Sequence, residues 1–155
     1  MIDKLIRIIT KWATTRDRKL VIMNRVDDAP YLERYYILFK NRPTWFPFNV
    51  FLHKFCSSDP EDLHDHPWPY FTLILKGGYW EHTPEGKLWR RPGHFRFCQA
   101  HSLHRITLAE SSSVEVWTLF IPGKKFRDWG FIFNGRWMYW EAYIEMKRKE
   151  AMSND

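Results

Sequence analysis

A chain of 155 residues, 45% hydrophobic and 27% charged, is long enough to bury a core and fits a single domain over residues 1–155. Its two cysteines, Cys56 and Cys98, exclude a disulfide framework, and no apolar run nears the ~20 residues that span a bilayer. The net charge of +6 is dispersed, its densest run being Lys147-Arg148-Lys149, so a solvated basic surface is expected ahead of a nucleic-acid-binding one. The first residues lack the compact apolar centre and small-residue cleavage site of a secretory leader, and a cytoplasmic location is expected.

Met1 to Ala13 reads as an amphipathic helix within an N-terminal segment of residues 1–16. Ile2, Leu5, Ile6, Ile9, Trp12 and Ala13 fall at helical spacing, with Lys4, Arg7 and Lys11 opposite. Such a helix packs against its own domain or a partner subunit more often than it lies on a membrane. From Arg34 the pattern turns to strands, and a barrel over about 34–133 is expected. Tyr35 to Lys40 is one candidate strand. Phe48 to Phe55 is a second, with Phe51, His53 and Phe55 sharing a face; His53 either faces the cavity or, the reading preferred, is a satisfied histidine near the rim. A polar loop, Cys56 to Asp62, then delivers the chain to His64. Trp68 to Lys76 is apolar enough for a strand buried on both sides and ends at Gly77-Gly78.

Tyr79 to Thr83 and Leu88 to Arg90 form a hairpin around Pro84-Glu85-Gly86-Lys87. Phe95 to Cys98, Leu103 to Leu108 and Val114 to Ile121 add three strands, the last two joined by a serine turn at Ser111 to Ser113. Short strands at this spacing indicate an all-β sandwich or barrel. Trp129 to Tyr143 reads as a closing strand followed by a helix, and residues 147–155 as a fraying polar tail. Aromatics reach 18% of the chain, with nine Trp and twelve Phe, enough to fill a barrel and line a cavity.

The chemistry concentrates in His64, His66 and, about forty residues on, His104. Alternate residues of a strand share a face, so His64 and His66 can aim at one point while His104 supplies a third imidazole from another strand. Three neutral imidazoles hold Fe²⁺, Zn²⁺, Ni²⁺ or Mn²⁺ and leave positions open for water or substrate. By alternation Asp65 points away from that centre. Glu81 either faces solvent or, turned inward, ligates metal or acts as general base. Tyr70 either packs in the core or orients a bound ligand. His101 is a fourth ligand, an acid/base group or a turn residue. Arg96, alternating with Phe95 and Phe97, is a candidate clamp for an anionic substrate.

The order His64-Asp65-His66, Gly77-Gly78, Pro92-Gly93, Ala100-His101-Ser102-Leu103-His104 resembles the two motifs that mark the cupin superfamily, over about Asn49 to Pro122. The resemblance implies a double-stranded β-helix (jelly-roll) barrel with a central metal, a short N-terminal helix and an aromatic-rich C-terminal segment standing outside the motifs. His64, His66 and His104 match the family's three histidines. The family's glutamate ligand is replaced by Tyr70 or Phe71, and the glycine before the second motif's histidine by His101. The set is therefore three-histidine, as in thiol dioxygenases, or recruits Glu81 or His101. Arg127-Asp128-Trp129-Gly130-Phe131, with Trp137 and Trp140, resembles small cupins of bacteriophage and bacterial genomes.

The resemblance implies metal-dependent action on a small and anionic molecule, foremost by Fe²⁺ dioxygenase chemistry, with catalytic roles for Tyr70, Glu81 and His101 and substrate binding by Arg96 and Tyr70. Two other readings stand beside it: a non-catalytic metal-containing cupin that binds a small molecule or partner protein, and a basic protein associated with nucleic acid. By analogy with cupins a homodimer is expected.

Overall fold

The computed structural model describes residues 1–109 and 113–153. Helix α1 (Ile2–Thr15) is followed by β1 (Lys19–Met23), β2 (Pro30–Tyr36), β3 (Phe51–Phe55), β4 (Tyr70–Lys76), β5 (Tyr79–Thr83) and β6 (Gly86–Arg90). Then come β7 (Phe95–Cys98), β8 (Arg105–Leu108), β9 (Val116–Pro122), β10 (Gly130–Phe133), β11 (Arg136–Tyr139) and α2 (Trp140–Ser153). The expected N-terminal helix and antiparallel β architecture are present. Several boundaries differ. Sheet pairing begins at Lys19 rather than Arg34, and the strand expected at Tyr35 to Lys40 ends at Tyr36. Trp129 to Tyr143 holds two strands before its helix, and the expected polar tail is helical through Ser153. Ser111 and Ser112 of the expected serine turn, and Asn154-Asp155, lie outside the described residues.

One wall of the barrel is a six-stranded sheet in the order β1-β2-β3-β9-β4-β7, and the other begins with β6-β5-β8. The second wall is extended by residues 63–66, because His64 bridges to His104 on one side and to Phe131 of the β10–β11 hairpin on the other. That hairpin closes tightly because Asn134 and Gly135 both take positive φ, 50° and 74°, the conformation a two-residue hairpin turn demands. Gly77 turns the chain out of β4 at φ 72°, where a Cβ would stand 2.6 Å from the Glu115 carbonyl oxygen.

Register on the six-stranded wall fixes what each side chain faces. Arg34, His53, Thr118 and Ile74 form one cross-strand row, and Tyr36, Phe51, Phe120 and Thr72 the next. These rows point into the barrel. The alternate residues Tyr35, Leu52 and Trp117 point outward and are buried beneath Ile6 and Ala13 of α1, so the helix packs on its own domain. A second apolar cluster, Ile74, Tyr79, Ile106 and Val116, fills one end of the space between the walls. Strand β4 therefore alternates, with Tyr70, Thr72 and Ile74 buried and Phe71 exposed, rather than being buried on both faces. The arrangement makes Leu52, fully buried beneath α1, a test of the outer core. Leu52→Ala is expected to cost about 2–5 kcal/mol, read from the midpoint of urea unfolding.

Candidate metal centre

The three histidines meet where the two ends of the second wall join. His64 and His104 exchange both backbone hydrogen bonds, at 2.9 and 3.0 Å, and the His66 amide donates to the Ala100 carbonyl at 2.8 Å. Neither His66 nor His104 lies within a regular strand. The extended strip 63–66 supplies the alternation that the sequence had attributed to one. The imidazoles converge: one nitrogen from each of His64, His66 and His104 lies within 4.8 Å of the others. The Nε2 atoms of His66 and His104 are 2.8 Å apart.

The donor chemistry fits a divalent cation. Burial, reinforced by His104, lowers the His64 imidazole to about 4, and burial with its two histidine neighbours holds His66 well below the ordinary range. Neutral imidazoles with inward lone pairs are what a metal requires. His64 Nδ1 is moreover buried with no hydrogen-bond partner, a costly state for a polar atom that coordination or a bound solvent molecule would relieve. The three histidines are placed to hold a divalent metal.

Glu81 faces inward, only 2% exposed, and its role is specific. Its pairing with Ile106 puts it diagonal to His104 on the same face, and its Oε1 accepts from His104 Nδ1 at 3.0 Å. Nδ1 then carries the proton and Nε2 presents its lone pair to the centre. The carboxylate also accepts from Arg90 Nε at 2.7 Å and pairs with the Arg96 guanidinium. Burial pushes Glu81 up, but the His104 hydrogen bond and the two arginines outweigh it and hold the group at about 2. Glu81 is thus a permanent anion behind a ligand, outside the three-nitrogen cluster itself. Arg96, expected as a substrate clamp, is turned onto Glu81 instead, because its place on β7 points it at that carboxylate. His101 lies on an exposed turn and takes no part in the cluster.

Tyr70 is buried at the position where the cupin pattern has its carboxylate ligand, and its hydroxyl lies 3.2 Å from His104 Nε2. Burial, with Cys98 beside it, raises the phenol well above its ordinary value, so it stays a neutral O–H donor. Asp65 faces away from the cluster, as alternation requires, and anchors the strip from behind. It accepts from the Gly130 amide at 2.7 Å, Arg127 at 2.7 Å and the Trp137 indole at 3.1 Å. Arg127-Asp128-Trp129-Gly130-Phe131 is therefore a clamp on Asp65, with Trp129 edge-on to His64. Before His64, Asp59 braces the loop by accepting from the Ile106 amide at 2.5 Å and from the Tyr31 hydroxyl.

The histidines open into a cavity of about 310 Å³ lined largely by aromatic rings, among them Trp68, Phe120 and Trp129. Two further residues face it: His53, for which the sequence leaves cavity and rim open, and Arg34, which the sequence does not single out. The signal was present in the alternation of Leu32, Arg34 and Tyr36, but the strand had been started too late to expose it.

No protein-family model matches the sequence, and no curated protein does. Solved structures do match. The polyketide cyclase RemF of Streptomyces resistomycificus superposes with a TM-score of 0.60 at 13% identity, over 86% of this chain and 93% of that one. An RmlC-like cupin from Ralstonia eutropha gives 0.54 at 13% identity, over 88% and 84%. The fold is a cupin fold. The Fe(II) form of HppE gives 0.53 at 14% identity, over 68% of this chain and 57% of that one, so the match spans little more than half of that protein. These likenesses concern the barrel.

Two outcomes follow for the cupin centre. His64 and His66 hold fewer protons folded than unfolded, so the stability of the metal-free protein is complete above about pH 6.5 and is lost as pH falls toward about 4. The loss per histidine is up to ~1.4 kcal/mol per pH unit, and His66→Gln is expected to flatten the pH profile of Tm measured in chelator. Glu81→Gln removes the anion behind His104 and is expected to weaken metal binding about 10- to 100-fold, read by competition with a chromophoric chelator.

Proposed function

We propose that the protein is a metal-dependent enzyme acting on a small anionic molecule in the cavity, with three-histidine Fe²⁺ oxidoreductase chemistry of the dioxygenase type. The observation that carries this reading is the convergence of three imidazoles, His64 and His104 buried and His66 half-buried, without a carboxylate in the cluster, at the head of an aromatic cavity. When bound, a ferrous ion with three histidine ligands supplies redox chemistry and open positions for substrate and O₂.

The chain's own residues do the rest. Glu81 fixes the His104 tautomer, and the Asp65–Arg127 pair at 2.7 Å holds the 63–66 strip in place. Tyr70 offers its O–H on the open side of the cluster, where it orients a ligand atom by donation. The aromatic lining limits water around the reacting groups. A homodimer and a cytoplasmic location belong to the same proposal; no helix among the described residues is long and apolar enough to cross a membrane.

A second reading is a non-catalytic cupin in which the metal ties the three-stranded sheet to the 63–66 strip and its hairpin within the second wall. Its support is positional, since the ligands come from the strip and the turn that join sheet and hairpin. Elemental analysis of untagged protein beside the His64→Ala/His104→Ala variant separates the two. About one equivalent of iron, lost in the variant, is the expected result and directs oxygen-consumption screening. Stoichiometric zinc with no oxygen uptake would favour the structural reading. No metal after reconstitution would sink both.

A further inference from the structure

Arg34 is a charged group with no charged partner inside the barrel. Its side chain comes from the middle of β2 and points inward with His53, its cross-strand neighbour. Arg34 Nε donates to His53 Nε2 at 3.0 Å, and its guanidinium carbon lies 4.5 Å from the centroid of the Phe51 ring. Its other polar neighbour is the Tyr36 hydroxyl. Among the described residues no carboxylate pairs with it. The lining of the cavity does contain two carboxylates, Asp59 and Glu81. Asp59 is held by Tyr31 and the Ile106 amide, and Glu81 by His104, Arg90 and Arg96.

A guanidinium that loses water in an aromatic cavity needs hydrogen-bond acceptors, and those available here are neutral. The geometry shows how the group is prepared. His53 is buried and unprotonated, so its Nε2 takes the Nε hydrogen, and the Phe51 ring fixes the plane of the fork. The Tyr36 hydroxyl also bonds the guanidinium, and among the described residues its partners are neutral. A planar guanidinium on a cavity lining with no carboxylate paired to it suits the oxygens of one anionic group.

We propose that Arg34, oriented by His53 and Phe51, is the anchor for the acid group of the ligand: a carboxylate or phosphonate of a small organic acid whose body lies on the aromatic lining and whose other end reaches the histidine cluster. The inference rests on the small-molecule reading above and assigns its anionic end to Arg34 in place of Arg96. The metal cluster and Arg34 lie on opposite walls of one cavity, so the ligand is held at both ends. Arg34 is a binding residue and His53 a positioning one.

The test uses the full chain with benzoate, phenylphosphonate and neutral benzamide as probes. Binding is followed by calorimetry and by the fluorescence of Trp68 and Trp129, which line the cavity. Each titration is run on protein of measured metal content and again after chelation. At least one anion is expected to bind saturably and benzamide not, the preferred anion identifying the acid group. Arg34→Gln is expected to weaken that binding roughly 10- to 100-fold with metal content unchanged. If that variant does not fold, Arg34→Lys decides, since it keeps the charge and loses the fork; a weakening of about tenfold or more supports the anchor.

Unchanged affinity in the variants, or anion binding that vanishes on chelation and ignores Arg34, overturns the proposal while leaving the metal reading intact. So does the absence of anion binding by the wild type. Arg34-dependent binding by a protein that never takes up metal upholds the anchor and removes the metal reading.

Discussion

The reciprocal backbone pair between His64 and His104, at 2.9 and 3.0 Å, is the constraint on which the centre depends. It is a single rung, not a strand, yet it joins the three-stranded sheet to the β10–β11 hairpin and sets two imidazoles side by side. Every other support acts on that rung. Asp65 holds the strip from behind, Asp59 fixes the loop before it, and Glu81 locks the ring of His104. A metal ligand set needs sub-ångström placement of side chains, and here rigidity is conferred on a short irregular segment by the carboxylates around it.

The most buried anions of the barrel are each met by arginines. Glu81 and Asp65 are 2% and 3% exposed, and each is matched by arginines: Arg90 and Arg96 for the first, Arg127 for the second. Burying an anion is tolerable only with such partners. Arg34 reverses the pattern, being a cation on the cavity lining with no carboxylate paired to it among the described residues.

Much of this was legible in the sequence. Histidine spacing and alternation carried the ligand set, and the 3.6-residue stripe carried α1. What escaped reading did so for physical reasons. β2 reads poorly because its inward face carries Arg34 and Tyr36, while its apolar ring Tyr35 serves the helix outside; hydropathy alone points the wrong way. Glu81 had two readings because burial of a carboxylate depends on Arg90 and Arg96, nine and fifteen residues downstream, and pairing across a hairpin and between sheets is invisible to local spacing. The clamp of Arg127 on Asp65 spans sixty-two residues and had left a trace only as a sequence resemblance.

The placement of α1 has a consequence for how this barrel can change. Much of the apolar packing that stabilises β2, β3 and β9 lies on their outer face, with Ile6, Tyr35, Leu52 and Trp117, while their inner face carries Arg34, His53 and Thr118. Folding and ligand recognition are thereby assigned to opposite parities of the same strands. Inner residues can be exchanged for others of similar bulk while the outer packing stays whole, so such a wall can acquire a new specificity by single substitutions without passing through an unfolded intermediate in its history.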